Sequence, residues 1–250
     1  MPYFVSRGHR LHYRERGQGP LLLILPGSTA SSAGHQGELA YFSRRYHTVS
    51  LDFWGTGQSD RLAVWPEDWW ERVARDAVGL VRSLGYERCI AMGTSGGAAV
   101  ALLMAIMFPA QVQAVVADSV VERPTPDGLR ASVADRGWRT PEQVSFWQRM
   151  HGDDWEAVVE ADGDLLHRFA DRGADWFGGR LPEIACPALF TASLHDELLP
   201  DVGPQLLRML DQVRDSRVFL TRDGGHPLMW SRPGEFRRAA SAFLEGLAQP

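Results

Sequence analysis

Gly93-Thr94-Ser95-Gly96-Gly97 combines a hydroxyl nucleophile with glycines two residues away on either side. That spacing suits a sharp strand-to-helix turn, where the backbone is strained and larger neighbours would collide. The pattern carries weight only in that context, and strand-like Cys89 to Met92 before it and helix-like Ala98 to Leu103 after it supply the context. A helix that opens at the serine aims its free N-terminal amides at the place where an oxyanion would form, Gly96 N–H foremost. The plainer reading of the same residues is a helix N-cap at a tight packing corner.

A serine hydroxyl is a weak nucleophile until a base removes its proton and an acid orients that base. Among 8 histidines, His226 is placed for the task, in the loop Asp223-Gly224-Gly225-His226-Pro227 that follows the last strand-like run. Asp196, in Ser193-Leu194-His195-Asp196-Glu197 just after the apolar run Pro187 to Ala192, is the expected acid. Asp118, closing the preceding strand, is its rival, and His195 and Glu197 read as neighbours rather than actors. The expected order along the chain is therefore Ser95, Asp196, His226. Missing residue types narrow the chemistry further: the chain has no lysine and no asparagine, so all 26 positive side chains are arginine. Walker A loops, Schiff-base enzymes, Ser-Lys dyads and Cys-His-Asn sites are thereby excluded. No His-Glu-x-x-His run occurs, and His9-x-x-His12 falls on an expected edge hairpin, so neither a metal nor another cofactor is implied.

Elements that would hold these residues follow from the apolar pattern. Val5 and Leu11 to Arg14 read as a hairpin around Gly8, and Leu21 to Leu25 as a strand buried on both faces, stopped by Pro26-Gly27. A helix around Gly37 to Phe42 leads to a strand over Tyr46 to Leu51. Trp69, Val73, Ala77, Leu80, Val81 and Leu84 then form one apolar helix face, with Gly85 as a stop. Strand, helix and strand again over Cys89 to Ala117 imply parallel pairing. The alternation resumes with Pro187 to Ala192, a helix over Gly203 to Leu210, a strand at Arg217 to Leu220 and a closing helix at Glu235 to Leu247.

Between residues 120 and 183 the pattern turns helical and tryptophan-rich, and residues 151 to 180 hold eight acids against three arginines. This reads as an insertion: a solvated helical pair packed on the body, or a lid whose aromatic face roofs a ligand cavity. Residues 1–119 and 184–250 form the expected core domain, and 120–183 the lid. At 250 residues the length allows one large domain with an insertion as readily as two domains. Net charge of −5 and a pI near 5.9 have the wrong sign for a nucleic-acid binder. The apolar runs are too short to span a membrane, and the N-terminal run Met1 to Arg7 meets a charge before any apolar leader forms. With two cysteines, Cys89 and Cys186, no disulfide framework is implied, and the expectation is a cytoplasmic protein.

Nearly the whole chain resembles the α/β-hydrolase fold family. Leu25-Pro26-Gly27-Ser28 is similar to that family's oxyanion loop, with Pro26 where His is usual, which implies Ser28 N–H as the second oxyanion donor. Asp52 to Asp60 resembles its D-x-R-G-x-G-x-S loop, with Trp54 in place of Arg. Trp65 to Arg72, Asp76-Ala77-Val78 and Cys186 to Leu189 are similar to the valacyclovir hydrolase or biphenyl hydrolase-like group. Members that cleave α-amino acid esters carry an acid directly after the nucleophile, where this chain has Gly96. The resemblance implies an α/β architecture: a mostly parallel eight-stranded sheet, helices on both faces and a helical lid. It also implies a Ser-His-Asp hydrolase acting on small-molecule carboxylic esters. A lactonase or carbon–carbon bond hydrolase would use the same residues, and a non-catalytic binding protein of this fold is the reading of a different class. The expected pocket wall is Trp54, Phe146, Trp147, Trp176, Met229 and Trp230, with Trp138 and Met150 as further candidates.

Overall fold

A computed structural model describes residues 2–247, so Met1 and the last three residues lie outside it. The chain opens with β1 (Tyr3–Ser6) and β2 (His9–Arg16), a hairpin turning at Arg7-Gly8. β3 (Leu21–Leu25) is buried at all five positions, as a continuous apolar run requires. After α1 (Gln36–Phe42) and β4 (His47–Leu51) comes α2 (Trp69–Ser83), which buries the expected stripe of Trp69, Val73, Ala77, Leu80 and Val81. β5 (Cys89–Thr94) feeds α3 (Gly96–Met107), whose residues are buried from Gly96 through Ile106. A helix so apolar all round belongs in the middle of a layer. β6 (Val112–Asp118) follows.

Three helices stand between β6 and the next strand: α4 (Pro126–Arg136), α5 (Pro141–His151) and α6 (Trp155–Asp171). The sequence suggested a pair. Thr140 closes a capping box with Gln143 and starts α5 cleanly after α4 ends at Arg136, so the break lies in a region whose composition is helical throughout. The chain ends with β7 (Ala188–Ser193), α7 (Val202–Gln212), β8 (Ser216–Thr221), the one-turn α8 (Leu228–Ser231) and α9 (Pro233–Gly246).

The eight strands make one sheet in the order β1-β2-β4-β3-β5-β6-β7-β8. β2 pairs antiparallel with β1 and β4, and every later neighbour pair is parallel. Two apolar layers sandwich it. One holds α2, α3 and the inner side of α6, through Leu165, Leu166 and Phe169; the other holds α1 and α9, through Leu39, Phe236 and Phe243. The carboxyl ends of the parallel strands converge on one edge, where open α/β sheets hold their ligands.

Candidate active site

Ser95 sits between β5 and α3 at φ +52° and ψ −125°, a conformation an L-residue holds only when its surroundings fix it. The surroundings are tight. A Cβ on Gly93 would lie 2.1 Å from the Gly97 carbonyl oxygen, and one on Gly97 would lie 2.2 Å from that of Leu25. Ser95 N–H donates to the Asp118 carbonyl at 2.8 Å, which anchors the turn to β6.

Ser95 Oγ lies 2.9 Å from His226 Nε2, and His226 Nδ1 lies 2.8 Å from Asp196 Oδ2. Asp196 is acceptor only, so Nδ1 carries the proton and Nε2 is left free to accept from the serine hydroxyl. The other carboxylate oxygen of Asp196 accepts from the N–H groups of Leu198 at 3.0 Å and Leu199 at 3.1 Å, which fixes its plane. Glu197 Oε2 accepts from the backbone N–H of His226 at 3.0 Å. Glu197 therefore steadies the loop, a contact that no spacing rule marks in the sequence.

Asp118, the rival acid, is fully buried and spends its carboxylate on partners other than the imidazole. It accepts from Thr191 Oγ1 at 2.6 Å, Thr94 Oγ1 at 3.0 Å and Met229 N–H at 3.0 Å. Burial pushes its carboxyl up to about 6, against those bonds and the nearby His226, all of which pull it down. Ser119 Oγ accepts from Leu228 N–H at 2.9 Å beside it. Together they brace the α8 turn that follows His226.

Ser28 and Gly96 lie side by side next to Ser95: a Cβ on Gly96 would come within 2.9 Å of Ser28 Oγ and 3.5 Å of Ser28 N. Gly96 N–H belongs to the first turn of α3 and has no intrahelical acceptor, and Ser28 N–H donates to no acceptor among the described residues. Both amides border the cleft that also exposes Ser95 and His226.

That cleft opens to solvent, and its empty space, open solvent included, is about 780 Å³. One long wall is a face of α4 and its cap, Thr125, Gly128, Leu129, Ser132 and Arg136, spaced as one side of a helix. Val120, Val121, Leu166, Trp176, Leu198 and Leu199 make most of the apolar remainder, and Asp201 and Gln205 add polar groups. Arg136 is paired with the buried Asp162 of α6, so the cation in the wall arrives neutralised.

Of the six side chains expected to wall the pocket, Trp176 alone does so. Trp54 stacks on His9 with centroids 4.0 Å apart, and its carbonyl accepts from Trp69 Nε1. Trp147 stacks on Trp155 in a small cluster within the insertion. Met229 is fully buried in the layer beneath the sheet, and Trp230 packs on that layer with Phe146 edge-on at 5.9 Å. Trp138 is 79% exposed and Met150 lies against Gly34. Large aromatics found partners to pack on, leaving the cavity to residues with less area to hide. The wall that was missed, α4, has no buried residue, so it shows no apolar stripe by which its inward side could be picked out.

Among the described residues no group of His, Cys, Asp and Glu is arranged to hold a metal ion, and no helix is long and apolar enough to cross a membrane. Cys89 and Cys186 are unpaired and buried, and burial pushes their thiols up to about 12 and about 11, far from the reactive range.

Known proteins are similar to this chain in sequence and in fold. The human serine hydrolase BPHL is 29% identical over 262 residues, covering 95% of this chain and 84% of its own. The 2-hydroxy-6-oxo-6-phenylhexa-2,4-dienoate hydrolase of Comamonas testosteroni is 26% identical over 270 residues, covering 94% of this chain and 91% of its own. The crystal structure of the enol-lactonase from Burkholderia xenovorans superposes with a TM-score of 0.77 at 19% identity, over 98% of this chain and 100% of that one. The sequence profile of the alpha/beta hydrolase family matches residues 22–239, and the chain belongs to that family.

Proposed function

We propose that the protein is a serine hydrolase that cleaves carboxylic esters of small to medium substrates through an acyl-enzyme. The observation that carries this reading is the unbroken chain of contacts from Ser95 Oγ through His226 to Asp196, at 2.9 and 2.8 Å. Ser95 Oγ attacks the ester carbonyl while His226 Nε2 takes its proton. The oxyanion is held by Ser28 and Gly96 N–H, a kind of donor worth about 2.7 to 4 kcal/mol each. His226 returns the proton to the departing alcohol. Water, deprotonated by the same imidazole, then attacks the acyl carbon and releases the acid. Asp196 accepts from Nδ1–H and steadies the imidazolium.

The helical insertion acts as the lid, with α4 and Trp176 forming the wall against which the acyl chain lies. Ser28 Oγ takes up the space beside Gly96, so no carboxylate stands directly after Ser95 to grip an α-ammonium group, and the carboxylate in the cleft lining is that of Asp201. A cytoplasmic setting suits the two unpaired cysteines. A lactonase or carbon–carbon bond hydrolase with the same residues is the second reading, favoured by the Comamonas relative and the Burkholderia neighbour.

Labelling with a fluorophosphonate followed by intact mass measurement should give a single adduct, absent in Ser95→Ala and in His226→Ala. An adduct elsewhere overturns the assignment. Turnover of p-nitrophenyl esters of rising chain length, lactones and vinylogous diketones then separates the two readings. Failure with all of them, despite a reactive Ser95, returns the protein to the class of ligand binders.

A further inference from the structure

His151, the last residue of α5, is 5% exposed and lies far along the chain from the residues that react. Its ring joins two loops of the body. Nδ1 accepts from Gly57 N–H at 3.0 Å, and Nε2 lies 3.0 Å from the Thr29 carbonyl oxygen, to which it must donate. Both nitrogens are used, which fixes the neutral Nε2–H tautomer.

The acceptor is the significant end. Gly27 to Ala30 form a four-residue turn closed by Ala30 N–H to the Gly27 carbonyl at 3.1 Å, and Ser28, the second oxyanion donor, is its second residue. The third residue is Thr29 at φ +55°, left-handed backbone that a β-branched residue avoids. Such a conformation persists only where neighbours over-determine it. Two contacts from the end of α5 do so: the His151 ring holds the Thr29 carbonyl, and the Met150 carbonyl accepts from Ser31 Oγ at 2.8 Å.

A guanidinium closes the clip from outside. Arg61 donates to the His151 carbonyl at 2.9 Å and to the Gly57 carbonyl at 2.8 Å, and pairs through its Nε–Nη2 edge with both carboxylate oxygens of Asp154 just beyond α5. The charged groups that bear on His151 are Arg61, which disfavours its protonation, and Asp52 and Asp162, which favour it; burial outweighs them and pushes the imidazole down to about 4. The ring stays neutral across the working range, as its acceptor nitrogen demands.

We infer that His151 is a positioning residue for the reaction: by holding the Thr29 carbonyl it sets the Ser28 amide in the oxyanion site, so that seating of the lid's α5 end completes the catalytic centre. This rests on the serine hydrolase reading. An oxyanion donor acts on the transition state rather than on the bound ester, so the signature is in kcat and not in KM.

The test is steady-state hydrolysis of a p-nitrophenyl ester, run well below the melting temperature of each variant, with Ser95→Ala as the blank. His151→Phe should lower kcat roughly 10- to 100-fold, with KM changed less than about twofold. His151→Gln, whose amide can both accept from Gly57 and donate to Thr29, should recover to within about threefold of the parent. Adding Thr29→Gly to His151→Phe should restore much of the lost kcat, because glycine holds a positive φ unaided. Should phenylalanine prevent folding, Arg61→Gln loosens the same clip from the surface and should lower kcat by about threefold at constant KM. A lower melting temperature with unchanged kcat, or a loss confined to KM, overturns the inference while leaving the hydrolase reading intact. Absence of any Ser95-dependent turnover in the parent protein overturns both.

Discussion

The carboxyl edge of the sheet and the helical insertion laid across it place their side chains by different means. At the edge, backbone geometry decides. Ser95 is held at φ +52° by glycines with no room for a Cβ, Asp196 is fixed by two amides, and the loop after His226 is tied down by Asp118 and Ser119. In the insertion, area decides. Trp147 pairs with Trp155, Trp176 lies at 4.3 Å from Phe169 and 4.7 Å from Trp70, and the helix with least apolar area, α4, is left to line the cleft. The contrast teaches that the groups proposed to react and the groups that line the cleft answer to separate constraints.

The largest expected effects break the edge. Ser95→Ala or His226→Ala should lower kcat by about 10⁴- to 10⁶-fold, and Asp196→Asn by about 10⁴-fold, with the fold unchanged by circular dichroism. A residual rate near that of the parent in any of them would remove that residue from the chemistry. Gly93→Ala tests the backbone instead. Its Cβ would meet the Gly97 carbonyl oxygen at 2.1 Å, and that oxygen cannot swing aside, so a loss of more than about 4 kcal/mol in urea unfolding is expected. A stable and active Gly93→Ala would show that the turn is looser than its contacts require.

This difference also explains what could be read from the amino acids. Ser95, His226 and the preference for Asp196 over Asp118 follow from residue type, loop chemistry and chain order, each a local property. Most strands and helices of the core fall where apolar runs and periods put them, because burial on both faces of a sheet leaves an unbroken signature at Leu21–Leu25 and Cys89–Met92. The pocket wall was not legible. Which side of α4 faces the cleft depends on how α5 and α6 dock, and Met229, two residues before the end of a one-turn helix, lands beneath the sheet although it stands three residues from His226. His151 escaped notice for the same reason: its partners Thr29 and Gly57 are 122 and 94 positions away.

Asp118 sharpens the comparison from the side of charge. Its carboxyl titrates near 6 in the fold, raised from an ordinary value of 3.8 chiefly by burial. Below pH 4 both folded and unfolded chains hold this proton, and stability is indifferent to it. Between about 4 and 6 the unfolded chain has released it while the folded chain keeps it, so stability falls as pH rises; above 6 the native state carries the full burden, about 3 kcal/mol for a shift of about two units. Urea midpoints at pH 4 and pH 7 should therefore drop more steeply for the parent than for Asp118→Asn, whose amide has no charge to bury. Parallel slopes would mean that the three bonds to Asp118 fully offset its burial.

The smallest effect addresses the insertion itself. If α4 rather than α5 meets the acyl chain, enlarging an α4 side chain should change selectivity and trimming an α5 aromatic should not. Leu129→Trp fills part of the cleft, and the ratio of kcat/KM for an eight-carbon over a two-carbon p-nitrophenyl ester should fall about tenfold, or about 1.4 kcal/mol. Phe146→Leu, which gives up an edge contact to Trp230 outside the cleft, should lower the melting temperature by a few degrees and leave that ratio unchanged. The opposite pairing of results would mean that the insertion turns its aromatic side toward the substrate when an ester binds, because Phe146 as packed lies against Trp230 and does not line the cleft. The two variants thus separate an insertion that meets the substrate as it is packed from one that must first unpack.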